Sequence, residues 1–326
     1  MTQRYPSLDG WRGLAILFVL AGHLLPLGPK SWQLNSAVAA TGMVIFFNLS
    51  GFLITSLLLH NRNITQFLIR RLLRIVPLAW MIIFLTLVWW QAPFSAYFPH
   101  LFFYANWGTP MALTAPTSHF WSLCVEMQFY IGIAGLVFLL RGKSFYCIPL
   151  LALSFTALRW HDGVGIAINT YYRADEILAG GFLALLYFKR DILCNKWLQY
   201  APPLVFLPLV ILSAHPNGGF VQYLRPYLSM LLIGSTLFHP ERHPKTTSLL
   251  NNKFLLYTAT ISYALYVIHG GLRYTWLGEG DKIIRYLKRP LLFFTTFVLA
   301  HFSTFYYEHY WIQLGKKINR RLHHKY

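Results

Sequence analysis

Apolar stretches of about 15 to 24 residues recur along the whole chain, parted by short polar breaks, and this rhythm predicts a bundle of about ten transmembrane helices. The expected spans are residues 13–27, 37–59, 75–92, 121–140, 144–160, 173–188, 197–214, 219–238, 254–276 and 290–309. No stretch has the charged, amphipathic pattern of an extramembrane domain, so residues 1–326 are read as one all-α, polytopic membrane domain. The longest break, 93–120, holds Pro93, Pro99, Pro110 and Pro116 but no Lys or Arg. Its apolar pieces, such as residues 97–105, are too short to cross, which predicts a re-entrant or interfacial segment on the outer face, able to act as a lid over a substrate. Residues 67–77 predict a short amphipathic helix feeding the third span, with Arg70, Arg71 and Arg74 clustered on one side at headgroup level.

Composition agrees: 56% of the residues are hydrophobic, 12% are charged and the mean hydropathy is +0.45, which excludes an ordinary soluble domain. A formal net charge of +18 raises the question of nucleic acid, and the placement of the cations answers it. With both termini in the cytosol, 19 of the 28 Lys and Arg fall in inner segments, the positive-inside asymmetry of a membrane protein. The basic tail, 310–326, with Lys316, Lys317, Arg320, Arg321 and Lys325, then serves as an orientation signal. Cys124, Cys147 and Cys194 are odd in number and lie in or beside spans, so they read as packing residues. The first span has signal-peptide flanks, Arg4 and Arg12 before it and 37–39 (Ala-Val-Ala) after it. His23 in its core and Pro26, Pro29 and Lys30 beyond argue for a retained helix.

Ionisable groups inside such spans cost about 2.5 to 3.5 kcal/mol each on insertion scales, so each one asks for a reason. Arg12 and His23 are eleven steps apart, about 20° past three helical turns, so they share a face roughly 16 Å apart, Arg12 at the inner border and His23 near mid-bilayer. They read either as a core histidine with a boundary arginine or as a catalytic pair. Ser122, Glu126 and Tyr130 recur every four residues, setting a carboxylate between two hydroxyls, either to pair with an arginine or to orient a reacting group. Ser262, Tyr266, His269 and Arg273 form a polar stripe on an otherwise apolar helix, for helix-to-helix hydrogen bonding or for substrate. Arg173 and Glu176, beside Asp175, are spaced for an ion pair at a helix start. His239 and His243 have a metal-like spacing that Pro240 and Pro244 spoil, and no metal site is read.

These segments together resemble the membrane-bound acyltransferase family three, the bacterial O-acyltransferases of cell-surface glycans. The resemblance is carried by Leu8-Asp9-Gly10-Trp11-Arg12-Gly13 with His23, Phe46-Phe47-Asn48-Leu49-Ser50-Gly51-Phe52-Leu53 and Arg70-Arg71-Leu72-Leu73-Arg74-Ile75-Val76-Pro77. Trp121-Ser122-Leu123-Cys124-Val125-Glu126, Arg173-Ala174-Asp175 and Ser262-Tyr263-Ala264-Leu265-Tyr266 through His269 complete it. Met127, Asn48 and Glu308-His309-Tyr310 depart from the family pattern and leave the role of Glu308 open. No Ser-Gly-Asn-His-type esterase domain is appended, and a second transfer step is not expected in this chain.

The resemblance implies a multi-pass protein of the bacterial inner membrane that moves an acyl group, usually acetyl, from cytosolic acyl-CoA to a hydroxyl of a surface or lipid-linked saccharide. It makes Arg12 and His23 the essential pair and associates Arg71 and Arg74 with the donor. Catalytic candidates are thus His23, Arg12 and Glu126, and donor-binding candidates Arg70, Arg71 and Arg74. Trp121, Ser122, Ser262, Tyr266, His269, Arg173 and Asp175 are candidates for the acceptor. His23 acts as general base or as transient acyl carrier, and acyl-CoA is a substrate, with no resident cofactor expected. The rival class is a proton-coupled transporter, since buried His and Glu also suit proton relays, but it predicts inverted repeats that are not found. A non-catalytic scaffold is a third class and would tolerate loss of His23.

Overall fold

A computed structural model describes residues 5–108, 112–189 and 202–323, and all its regular structure is helical. In chain order the helices are α1 (Pro6–Leu24), α2 (Leu34–His60), α3 (Ile64–Trp89), α4 (Tyr97–Leu101), α5 (Trp121–Leu140), α6 (Ser144–His161) and α7 (Ala174–Lys189). They continue as α8 (Pro203–Ala214), α9 (Val221–Phe238), α10 (Pro244–Leu250), α11 (Lys253–Thr260), α12 (Ser262–Arg273), α13 (Lys282–Phe302) and α14 (His309–His323). Three helical runs, Lys30–His60, Ile64–Trp89 and Ser118–His161, are long and apolar enough to cross a membrane. The third is interrupted at Arg141, whose φ is 49°. These runs make the chain an integral membrane protein. Cys194, Arg4, Pro110, Lys325 and the first part of the span expected at 197–214 lie outside the described residues.

Several expected boundaries move, each for a physical reason. The amphipathic segment and the third span are one helix, α3, started by Asn63, whose side chain accepts from the Gln66 N–H at 3.0 Å. The span expected at 254–276 is broken at Ile261 into α11 and α12. Thr258 and Thr260 donate to the carbonyls of Phe254 (2.8 Å) and Leu256 (2.9 Å) just before the break, a back-bonding that loosens a helix without any proline. The span expected at 290–309 starts earlier, at Lys282, where Asp281 caps the Ile284 N–H at 2.9 Å. It then passes through a π-helical turn, Ser303–Glu308, and the basic tail continues as helix α14.

The chain forms two compact units, each built from separate stretches of sequence. The first comprises residues up to His60 and Leu140–Thr260, the second Asn61–Leu139 and Ile261 onward. In the first unit α2 and α7 cross in close contact. A Cβ at Gly51 would collide with the Ile177 carbonyl, and one at Gly180 with the Asn48 carbonyl, so small residues let the backbones meet. Around this crossing Trp11, Ile45, Phe52, Leu183 and Ile233 form part of an apolar core. Asn48, fully buried, reaches the carbonyls of Val44 (3.3 Å) and Pro226 (3.4 Å).

The same unit seals a charge network. Arg159 pairs with Asp175 at 2.6 Å, while Arg173 (2.6 Å) and Arg225 (2.7 Å) share Glu176, and none of the five is more than 2% exposed. Pro226 has no N–H to offer the Gln222 carbonyl, and Arg159 Nη2 donates to that oxygen at 3.0 Å instead. Removing one partner of a buried pair strands the other charge, at a cost of about 3–5 kcal/mol. Glu176→Ala, which strands two guanidiniums, is therefore expected to lower the thermal unfolding midpoint in detergent sharply, while Glu279→Ala, at an exposed loop position, leaves it in place.

Candidate active site

In the first unit, Pro6 at the first position of α1 presets the helical φ, so the helix starts seven residues before the expected span. It stops at Leu24 because Pro26 pushes Leu25 into extended backbone (φ −107°, ψ 152°). Arg12 accordingly stands in the second turn, half-buried, with Asp9 at 3.6 Å. His23 stands in the last turn of α1 and is also half-buried. Asn35 secures that turn. Its Nδ2 donates to the carbonyls of Gly22 (2.7 Å) and Leu25 (2.6 Å), and its Oδ1 accepts from the Leu27 N–H (3.3 Å). These are end-of-helix groups that no intrahelical partner satisfies, and no motif points to Asn35 in the sequence. The motif around Arg12 is also explained by packing. A Cβ on Gly10 or Gly13 would strike the backbone of Leu250 or Leu255, and Trp11 Nε1 donates to Thr236 Oγ1 at 2.9 Å.

Arg173 and Asp175 also lie in this unit, inside the sealed network, with 2% and 0% exposure. The expected Arg173–Glu176 pair is present. Of the acceptor candidates, Asp175 thus ties α7 to α6, and Arg173 braces the start of α7.

The second unit holds the remaining candidates. Arg70 and Arg74 are exposed on α3 and Arg71 is half-buried, its guanidinium 5.7 Å from the centre of the Tyr130 ring. The Tyr130 hydroxyl donates to Glu126, so one of the two expected hydroxyls does serve that carboxylate. The other, Ser122, turns to α12 and meets the Tyr266 hydroxyl at 2.5 Å. Tyr266 gives its single proton to the His119 carbonyl, which leaves Ser122 as the donor between them. His269 Nδ1 faces the carbonyls of Tyr266 (2.7 Å) and Leu265 (3.2 Å) and therefore carries a proton. The His119 ring lies 5.0 Å away, and its Nε2 meets the Val267 carbonyl at 3.3 Å. Ser262, Tyr266 and His269 are buried, Arg273 is exposed and Trp121 is half-buried. The stripe on α12 and the start of α5 therefore form one hydrogen-bonded seam.

Among the described residues of the segment 93–120 no helix is long enough to cross a membrane: α4 is five residues long, and residues 109–111 lie outside the description. It is anchored by His100, whose Nδ1 donates to the Ala96 carbonyl (2.7 Å) while Nε2 meets Thr117 Oγ1 (2.8 Å). Phe94, Phe98 and Phe102 are exposed on its other side, which suits the interfacial reading.

The chain belongs to an acyltransferase family: the model described as an acyltransferase domain matches residues 5–309. Among its relatives, the peptidoglycan O-acetyltransferase OatA of Listeria monocytogenes is 27% identical over 318 residues, covering 81% of this chain and 48% of that protein. The YrhL protein of Bacillus subtilis (strain 168), provisionally named for the same activity, is 29% identical over 318 residues, covering 81% of this chain and 48% of that one. The chain thus spans about half the length of the curated relatives it matches. No solved structure matches it. The transporter reading is not favoured by these matches.

Burial holds the His100 imidazole below its ordinary value of 6.5. The unfolded segment then binds the proton first, so the stabilisation is complete above that value and is lost as the pH falls beneath it. The protection of residues 96–108 against hydrogen exchange, taken relative to the intrinsic rate at each pH, is expected to fall between about pH 7.5 and about pH 5, and a His100→Asn variant to lose that pH dependence.

Proposed function

We propose that this chain is a membrane O-acyltransferase that moves an acyl group, acetyl in the first instance, from cytosolic acyl-CoA to a hydroxyl of a surface or lipid-linked saccharide. The match to the acyltransferase domain over residues 5–309 carries this reading, and the names of the relatives point to peptidoglycan as the class of acceptor. In this reading the donor phosphates bind Arg70, Arg71 and Arg74, because guanidinium forks suit phosphate and stay charged. None of the three has a direct ion pair among the described residues, so their donors are available.

His23 takes the proton of the acceptor hydroxyl as its oxygen attacks the thioester carbonyl. The carbon–sulfur bond then breaks, and the departing thiolate takes the proton back from the imidazolium. Arg12, on the same helix, orients the reacting groups beside His23. The seam of Ser122, Ser262, Tyr266 and His269 shapes the acceptor side within the second unit, and Arg173 with Asp175 holds the helices of the first unit in register. A general base supplies about 10²–10⁴-fold. His23→Ala is expected to cut glycan acylation by about that factor with the protein still inserted, measured by mass spectrometry of surface glycans; unchanged acylation would remove the proposal. Arg71→Ala and Arg74→Ala are expected to raise the KM for acetyl-CoA.

The proposed topology is ten spans in the bacterial inner membrane with both termini in the cytosol, supported by the asymmetry of Lys and Arg. In a cysteine-free background, Ser31→Cys is expected to react with a membrane-impermeant maleimide added to intact cells, and Asn61→Cys only after lysis. The reverse pattern would invert the topology.

A further inference from the structure

The π-helical turn between α13 and α14 has no assigned purpose, and such turns cluster at functional sites. An extra residue in a helical turn rotates everything beyond it by about 100° relative to a regular helix. Here the outcome is that Glu308 is 5% exposed while Phe305, Tyr306, His309 and Tyr310 around it face outward. Ser303 Oγ (3.3 Å) and Thr304 Oγ1 (2.9 Å) both donate to the same carboxylate oxygen, Oε1. Oε2 has no hydrogen bond among the described residues, and the cation whose field reaches this carboxylate is Arg74.

We propose that Glu308 is a positioning residue for Arg74: without touching it, the π-turn carboxylate holds the guanidinium in the orientation that receives the phosphate groups of the acyl donor. The proposal rests on the donor reading above. Direct contact would occupy the guanidinium fork, whereas a carboxylate at one remove biases a long exposed side chain and leaves its N–H groups for phosphate. The backbone of both partners is fixed around this pair. Tyr263 donates to the Ile75 carbonyl at 2.5 Å, and Tyr307, one residue before Glu308, reaches the Pro77 carbonyl at 3.3 Å. Helix α14 then lies along α3, with Gly315 against Leu73 and Asn319 Nδ2 3.4 Å from the Gln66 carbonyl. Arg71 likewise has its guanidinium 5.7 Å from the centre of the Tyr130 ring, whose hydroxyl donates to Glu126.

Steady-state kinetics of the purified full-length protein with acetyl-CoA test this, using Glu308→Gln, Glu308→Asp, Arg74→Ala and the Glu308→Gln/Arg74→Ala double variant. Glu308→Gln is expected to raise the KM for acetyl-CoA about tenfold, with kcat and the acceptor KM within about twofold, and Glu308→Asp to recover most of the loss. Arg74→Ala should raise the same KM, and the double variant should be no worse than Arg74→Ala alone. If Arg74→Ala raises the KM but Glu308→Gln does not, or if the two effects add, the positioning role is overturned and the donor reading stands. If Arg74→Ala leaves the KM unchanged, the donor reading fails and takes the proposal with it. Should Glu308→Gln fold poorly, Thr304→Val keeps the charge and frees Oε1. It is then expected to raise the acetyl-CoA KM about threefold at unchanged kcat, and an unchanged KM would overturn the proposal.

Discussion

Five charged side chains sealed from solvent set the constraint on which the first unit depends. Moving an ion out of water costs several kcal/mol even after relaxation, and the pairing that offsets it works only with all partners in place. Arg159 comes from α6, Arg173, Asp175 and Glu176 from the start of α7, and Arg225 from α9, so a shift of any one helix would break contacts on the other two. There are three cations to two carboxylates, and backbone carbonyls meet the excess. Arg159 Nη2 donates to Gly165 at 2.8 Å and Arg173 Nε to Ala167 at 2.6 Å, which captures the segment between α6 and α7 as well. The network fixes helix register, and the close α2–α7 crossing at Gly51 and Gly180 is the apolar counterpart of the same fit.

What the sequence shows of this depends on distance along the chain. Arg173 and Glu176 are three residues apart on a helix, so their pairing is legible from spacing. Arg159–Asp175 and Arg225–Glu176 are tertiary pairs, 16 and 49 residues apart, and no local pattern marks them. Hydropathy shows the apolar part of each helix well: the span expected at 121–140 coincides with α5, and that at 219–238 begins two residues before α9. It stops where the apolar run stops, whereas helical hydrogen bonding runs on, which is why α1 and α13 start early and the basic stretch up to His323 proves to be helix. The break at Ile261 and the π turn escape for another reason: neither has a proline or glycine to announce it.

The candidate site divides in the same way. Residue types and helical periodicity mark Arg12, His23, Glu126 and the α12 stripe, but not their partners. Asn35, which closes the helix end beside His23, is an ordinary polar residue until the chain folds back on α1. Ser122 and Tyr130 look equivalent around Glu126 on a helical wheel. Only the position of Tyr266 divides them, one into the seam and one onto the carboxylate.

Arginine shows most clearly how environment separates structural from chemical use of one side chain. In the first unit Arg159, Arg173 and Arg225 are buried, each within 2.7 Å of a carboxylate oxygen, with further N–H groups given to backbone carbonyls. A guanidinium so satisfied has little left for a ligand. In the second unit Arg70 and Arg74 are exposed, and half-buried Arg71 lies 5.7 Å from the centre of the Tyr130 ring. Two carboxylates of the same unit, Glu126 and Glu308, accept from hydroxyls, Tyr130 for the first and Ser303 and Thr304 for the second. A cation kept near negative charge without being neutralised retains both its orientation and its fork of donors, the condition that binding a phosphorylated substrate imposes.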